Sequence, residues 1–529
     1  MVLLTRVILV LTTALLVAGV VYPLGVFFSV STGIGAALRT ECHDPRFWRA
    51  LHNTLLLAFG GAAVGTAFSF SASWALWRFD APAPARRLSE LCLKLPYLVP
   101  PFFLALGWTI LAQPRVYGLG GTALVLTLWL SALGTIQSQG FFRRFPSHWE
   151  DAAMLGGAPP WRGFLSITLP LALPQLLATF TSLAAAGLAS FAIPALIALP
   201  AREPVLTTRI YQAVKSSSGS SEGFTRAAAL ALVLLSLSIG VTVGAALCQR
   251  ALQRRLGGAL IGGKGATATK LHLSRGKHLL FWGLALLVAA LTALPLAAMV
   301  WRSFLKDPAD MMSFTLARYI YVFTSLPDVL KALMNSAGSA SAAALTAVLC
   351  AVFAALASAR GAKSARLTEV LGAAGTAIPG TVLALSLIVA YAGSPLPGLA
   401  VIALAYFAHY YSHAQRTLTP AVQSIGRDLT EAAAMAGASP LRALTSITLP
   451  LLKAALSAAF VLSLVPMASE ITMSVLLAGG DTEVLGTLMY RLLEYADPGS
   501  ACVLASCLLG ATLAANAVLR RISRGEFGI

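Results

Sequence analysis

Twelve runs of roughly twenty apolar residues, each long enough to cross a bilayer, govern what this chain can fold into. They lie near 7–30, 50–77, 95–113, 119–142, 170–200, 226–248, 279–301, 335–358, 370–392, 397–412, 451–478 and 500–519. Only 11% of the 529 residues are charged and 57% are hydrophobic, against about 25% charged in soluble domains. That polar complement cannot cover a water-soluble body of this size, so the solvent is lipid. Inside lipid every backbone N–H and C=O must find a partner within the chain, which long Leu-, Ala- and Val-rich runs achieve as helices. The short alternating strands of a membrane barrel are absent. The expected fold is all-α: a polytopic membrane protein of about 12 transmembrane helices.

Charge sets the orientation. With a cytoplasmic N-terminus and this span count, 25 of the 38 basic residues but only 8 of the 20 acidic ones fall on the cytoplasmic side, as the positive-inside rule requires. Both termini are then cytoplasmic. The formal charge of +18 is explained by topology, and nucleic-acid binding is not needed to account for it. Arg6 and the apolar run after it could open a secretory signal. The run is longer than a signal core and lacks a small-residue exit, so a retained first span is expected. The cysteines Cys42, Cys92, Cys248, Cys350, Cys502 and Cys507 show no paired or metal-like spacing.

A stretch of about twenty residues occurs twice. It runs from Asp151 to Pro170 as DAAMLGGAPPWRGFLSITLP and from Glu431 to Pro450 as EAAAMAGASPLRALTSITLP. Further pairs support the duplication: Asn53-Thr54 with Asn335-Ser336, Val99-Pro100 with Ile378-Pro379, Ser190-Phe191 with Ser469-Glu470, and Tyr211 with Tyr490. The copies have equal span counts and the same starting orientation, so they form a parallel repeat related by an axis along the membrane normal. The division is a first module at 1–250 with its loop at 150–170, a basic linker at 251–277, and a second module at 278–529 with its loop at 431–450. Within the linker, Gly258-Ala-Leu-Ile-Gly-Gly-Lys264-Gly265 nearly spells a phosphate-binding loop. Gly265 replaces the Ser/Thr that would hold magnesium and no strand precedes it, so nucleotide binding is not expected there.

Each duplicated element lies on the cytoplasmic side. An acidic residue before an alanine-rich turn, with glycine six positions on, describes a short helix: the carboxylate suits its N-terminus and the glycine permits a left-handed exit. The element resembles the E-A-A-x3-G-x9-I-x-L-P loop of permease subunits in binding-protein-dependent ABC importers. The resemblance implies a fused pair of six-helix modules of the type I ABC importer (MetI-like) kind, enclosing one pathway. It implies that the loop is a coupling helix fitting a cleft on an ATPase subunit, carried here by Asp151, Ala152, Ala153 and Gly157 and by Glu431, Ala432, Ala433 and Gly437. Asp151 stands where the family has Glu, and the neighbouring Glu150 is a possible substitute.

The same resemblance implies two ATPase subunits on the cytoplasmic side, a periplasmic or lipoprotein substrate-binding protein, and residence in a bacterial inner membrane. No catalytic residue, cofactor or resident metal is expected on this chain; ATP and magnesium are expected on the partner ATPase. The sequence from Phe191 to Gln212 looks most like that of ferric-iron permeases, with thiamine and polyamine permeases as alternatives of the same framework. A secondary transporter driven by an ion gradient is the rival from another class, but it would have no use for duplicated docking loops. Glu470 is the only charged residue from Val461 to Leu477, and a carboxylate at such depth marks a pathway or a structural partner. With Phe191, Tyr211 and Tyr490 it forms the candidate pathway set, whose oxygen atoms suit a hard cation. His409 and His413 are one turn apart, but no acidic ligand is near in sequence, and they are expected to be interfacial anchors.

Overall fold

The computed structural model describes residues 2–30, 33–142, 145, 148–216, 221–256, 275–307, 310, 312–425, 429, 432–433, 435–495 and 497–522. Among these the regular structure is helix, joined by turns and short extended breaks, and Leu305 and Phe314 form an isolated antiparallel bridge. The basic linker, apart from residues 251–256 and 275–277, lies outside the described residues, as do Arg143 and Arg144.

Seven helices are long and apolar enough to cross a membrane, and four bent pairs can each make one more, up to 11 spans among the described residues. The expected run at 397–412 falls on the helix Gly398–Gln423. Its 26 residues reach about 39 Å at 1.5 Å per residue, but His409, His413, Gln415 and Arg416 make it more polar than the rest.

Two of the bent pairs are placed by a proline at the break. Val99 and Ile378 precede Pro100 and Pro379 and are extended, with ψ of 129° and 128°, because proline crowds the helical conformation of the residue before it. The chain turns by 94° from Ala83–Leu98 into Pro101–Ala112, and by 106° from Lys363–Ala377 into Gly380–Tyr391. The second halves are buried on all sides along Phe102–Leu106 and Thr381–Leu387, as expected of a helix with no polar face. Gly107 shows how tight this packing is: a Cβ there would stand 2.5 Å from the Pro295 carbonyl oxygen.

Close packing divides the chain into two compact units that cut across the sequence repeat. One holds Met1–Glu41, Ile210–Leu232 and Val300–Ile529; the other holds Cys42–Arg209 and Val233–Met299. In the first, the N-terminal span packs on the helices Val329–Ala359 and Lys363–Ala377, with the Gly19 position against Ala408. In the second, Pro45–Arg78 packs along Leu119–Phe142 and Leu173–Ala189. Among the cysteines, all six are free thiols.

Candidate coupling and pathway sites

The first duplicated element begins with the helix His148–Leu155. Ala158 N–H reaches back to the Ala153 carbonyl (3.0 Å) around Gly157, whose φ is +86°. This is the six-to-one closure that a left-handed glycine allows. The second element repeats it, with Ala438 N–H on the Ala433 carbonyl (2.9 Å) and Gly437 at φ +79°. Ala152 and Ala432 are exposed, and Gly156 N–H and Ala436 N–H bond to their carbonyls. Glu431 lies outside the described residues.

Beyond each glycine comes a widened π-helical turn, Phe164–Thr168 and Leu444–Thr448. Pro170 and Pro450 follow and cannot donate to the carbonyl four residues back, which opens the turn. The sequence places these prolines at the start of the next span. In the structure they end a preceding helix, and the chain then bends by 72° at Ala172 and by 69° at Leu452. Pro174 in the first copy has no counterpart in the second, where Ala454 stands. The bend therefore does not depend on it.

What lies beneath the two elements differs. Under the first, the Arg78 side chain is fully buried at the end of its span and its Nε stands 2.6 Å from Glu150 Oε2, while its Nη2 stands 2.8 Å from Asp151 Oδ1. Glu150 also accepts hydrogen bonds from Trp74 Nε1 (3.0 Å) and from the Thr168 hydroxyl. A buried carboxylate requires this many partners to offset its desolvation. Glu150 thus faces inward as the anchor of the helix, and Asp151 remains partly exposed beside it. Around them pack Phe70, Phe142, Phe145 and Phe164, with Phe70 and Phe142 centroids 4.8 Å apart and Trp74 and Phe164 4.7 Å apart. The outward surface carries Trp149, Leu155 and Trp161, all exposed.

The candidate pathway residues fall into three places. Phe191 is buried at the break after Leu173–Ala189, heading the short helix Ala192–Ile197. Glu470 sits at the corresponding break after Lys453–Ala468, and its carboxylate turns back on its own chain. Oε1 accepts from Met473 N–H (3.1 Å); Oε2 accepts from Met473 N–H (2.9 Å), Ser474 N–H (3.1 Å) and the Ser474 hydroxyl (3.1 Å). That hydroxyl lies 2.7 Å from Tyr406 Oη. In this conformation Glu470 caps the next helical turn.

Tyr211 and Tyr490 meet. Both belong to the first compact unit, and their rings stand edge to face at 5.7 Å with planes at 90°. Tyr211 Oη donates to Glu494 Oε1 (3.0 Å) and accepts from Lys215 Nζ (3.0 Å), while Lys215 pairs with Glu494. Burial, reinforced by the Glu494 charge, pushes the Tyr211 phenol above its usual range, so it remains a donor. His409 and His413 serve backbone roles rather than a site: His409 Nδ1 lies 3.0 Å from the Gly375 carbonyl. No cluster of three or more metal-ligating side chains occurs among the described residues.

Sequence reasoning did not single out Arg78, Trp74 and Thr168, nor Lys215 and Glu494. A signal was present for each set. Arg78 and Arg360 both end the second span of their copy, and Lys215 and Glu494 stand at the same spacing as Tyr211 and Tyr490.

Two stretches, residues 65–257 and 347–525, match the model of the binding-protein-dependent transport system inner membrane component. Together they take in well over half of the chain and contain both duplicated elements. This chain belongs to that family. It is an ABC importer permease with two family modules in one polypeptide. The Fe(3+)-transport system permease protein FbpB 2 of Haemophilus influenzae is 26% identical over 467 residues, 84% of each chain. The ferric transport system permease protein FbpB of Actinobacillus pleuropneumoniae is 24% identical over 87% of this chain and 69% of its own. The molybdate/tungstate transport system permease protein WtpB of Thermococcus kodakarensis is 24% identical over 43% of this chain but 89% of its own. That last match has the size expected of a relative with one module where this permease has two.

Proposed function

We propose that this permease forms the substrate pathway of an ATP-driven importer for ferric iron and transmits the work of separate ATPase subunits through its two duplicated loops. The observation that carries the iron assignment is similarity to permeases named for ferric transport over 84% and 87% of this chain. The coupling assignment is supported by the repeated loop geometry: a short helix, a left-handed glycine and a bend into the next span, with apolar side chains such as Leu155 and Met435 left exposed for a partner. The excess of Lys and Arg supports a cytoplasmic side for these loops and both termini, and a substrate-binding protein delivers iron to the opposite face.

In this reading the chain catalyses no bond chemistry and holds no cofactor of its own; ATP and magnesium act on the ATPase partners, one for each loop. Phe191 and Glu470 mark the broken backbone where irregular segments at membrane depth line a route, as such segments do in other transporters. Tyr211 and Tyr490, whose rings meet, close that route. Glu470 acts first by holding the break in shape, since its oxygens are occupied by its own chain.

The test is uptake of radiolabelled ferric iron into cells carrying the permease with its neighbouring subunits, with molybdate, thiamine and putrescine in parallel. ATP-dependent iron uptake is expected, and it should be abolished in the Asp151→Asn, Glu431→Gln double variant while the protein remains inserted. Uptake of another compound alone would replace iron. Unchanged uptake by the double variant would remove the coupling assignment.

A further inference from the structure

One duplicated feature is not used by either site. In the first copy, Asn53 Nδ2 donates to the Pro204 carbonyl (3.0 Å) and to Glu203 Oε2 (3.3 Å), and the Thr54 hydroxyl accepts from Leu206 N–H (2.8 Å). In the second, Asn335 Nδ2 donates to the Glu483 carbonyl (2.8 Å) and the Ser336 hydroxyl accepts from Leu485 N–H (2.7 Å). The recipients match as closely as the donors, since 204 and 206 stand to 483 and 485 as Tyr211 stands to Tyr490. A third bond recurs inside each turn, Val205 N–H to Thr208 Oγ1 and Val484 N–H to Thr487 Oγ1, both 3.0 Å. Thr54, Ser336 and Asn53 are buried, so these groups have no water to turn to.

Leu206 and Leu485 are the first residues of the helices Leu206–Ser216 and Leu485–Glu494. Their N–H groups have no partner within their own helix, and a hydroxyl from a neighbouring span takes the part normally played by a capping side chain. These are the helices that carry Tyr211 with Lys215 and Tyr490 with Glu494. Each start is also tied to the break in the preceding span: the Thr207 hydroxyl donates to the Ser190 carbonyl (2.8 Å). At the matching position in the second copy, a Cβ on Gly486 would stand 2.7 Å from the Glu470 carbonyl oxygen.

The span that carries Asn53 and Thr54 is Pro45–Arg78. Its far end is Arg78, which grips Glu150 and Asp151 of the first coupling helix. The 25 residues from Asn53 to Arg78 span about 37 Å of helix, so one element is fastened to the coupling helix at one end and to the Tyr211 helix at the other. We propose that Asn53 with Thr54, and Asn335 with Ser336, are positioning residues that fix the starts of the two tyrosine-bearing helices, and that in the first module, where Arg78 grips the coupling helix, they make the second span a connecting rod carrying movement of that helix to the tyrosine pair. The proposal rests on the coupling reading above, and it assigns to these four residues a role in positioning, not in contact with substrate.

The experiment uses the full permease with its ATPase and binding-protein partners in proteoliposomes. It compares Thr54→Val with Ser336→Ala against the conservative pair Thr54→Ser with Ser336→Thr. The first readout is disulfide formation in a Tyr211→Cys, Tyr490→Cys background, which reports helix position without any transport. The second is iron uptake per ATP hydrolysed. Leaving a buried N–H without its acceptor shifts an equilibrium by roughly tenfold, so the Val/Ala pair should lower cross-linking and the uptake-to-hydrolysis ratio by about that factor while ATP hydrolysis continues. The Ser/Thr pair should retain both. Cross-linking and coupling ratio equal to the parent's in the Val/Ala pair would overturn the proposal, as would equal loss in the conservative pair. Failure of the parent to take up iron would count against the proposed function alone, because the cross-linking comparison still decides the clamp.

Discussion

The two duplicated elements share a backbone path and differ in what holds it. Both copies have a left-handed glycine, a widened turn ahead of proline, and a bend of 72° or 69°. Beneath the first lie Arg78, Glu150, Trp74 and four phenylalanines; the matching positions of the second hold Arg360, Thr430 and Leu356, with Val352, Val422, Ile425 and Leu444 for the phenylalanines. Arg360 is exposed where Arg78 is fully buried. Glycine and proline fix the path of the chain in both, because the conformations they permit do not depend on neighbours. The fastening is free to vary, and the first copy has invested it in a buried ion cluster.

That contrast can be broken or sharpened by substitution. The largest effect is expected for Arg78→Gln, which leaves Glu150 buried without its cation, a change of about 3–5 kcal/mol. Arg360→Gln, on an exposed side chain, should cost less than about 1 kcal/mol. Thermal unfolding of the purified permease would measure both; equal losses would erase the asymmetry. Next comes Glu150→Gln, which keeps the shape and an acceptor for Trp74 but weakens a charge-assisted bond, for about 1.5–3 kcal/mol in the same melt.

Gly157→Ala and Gly437→Ala form the matched control. A Cβ at either site meets nothing within 4 Å, so each change costs only backbone strain, about 1–2 kcal/mol, and the two should agree. A marked difference in Tm between them would show that the backbones are not equivalent. The smallest effect is expected for Pro174→Ala, since the second copy bends without a proline there; a distance measured by paired spin labels across Ala172 should not change.

Much of this was legible in the chain. Run length and low charge give the membrane helices, and the repeat gives the module pairing and both glycine turns. The position of Glu150 was not legible, because acidic neighbours such as Glu150 and Asp151 cannot be ranked until the burial of Arg78 selects one for the interior. The broken spans were partly legible from Val99-Pro100 and Ile378-Pro379, but the breaks at Phe191 and Glu470 carry no proline of their own at that step and depend on tertiary contacts. The packing units escaped sequence altogether: nothing in the run Leu4–Ser29 says that it will pack on Val329–Ala359.

The most direct measurement of the central claim is iron uptake by proteoliposomes holding the permease, its ATPase and its binding protein, with ATP inside or outside the ATPase-accessible compartment and with ion gradients collapsed. The account expects uptake that requires ATP, the binding protein and this chain together, and that survives loss of the gradients. Uptake that follows an ion gradient and needs no ATPase would contradict it.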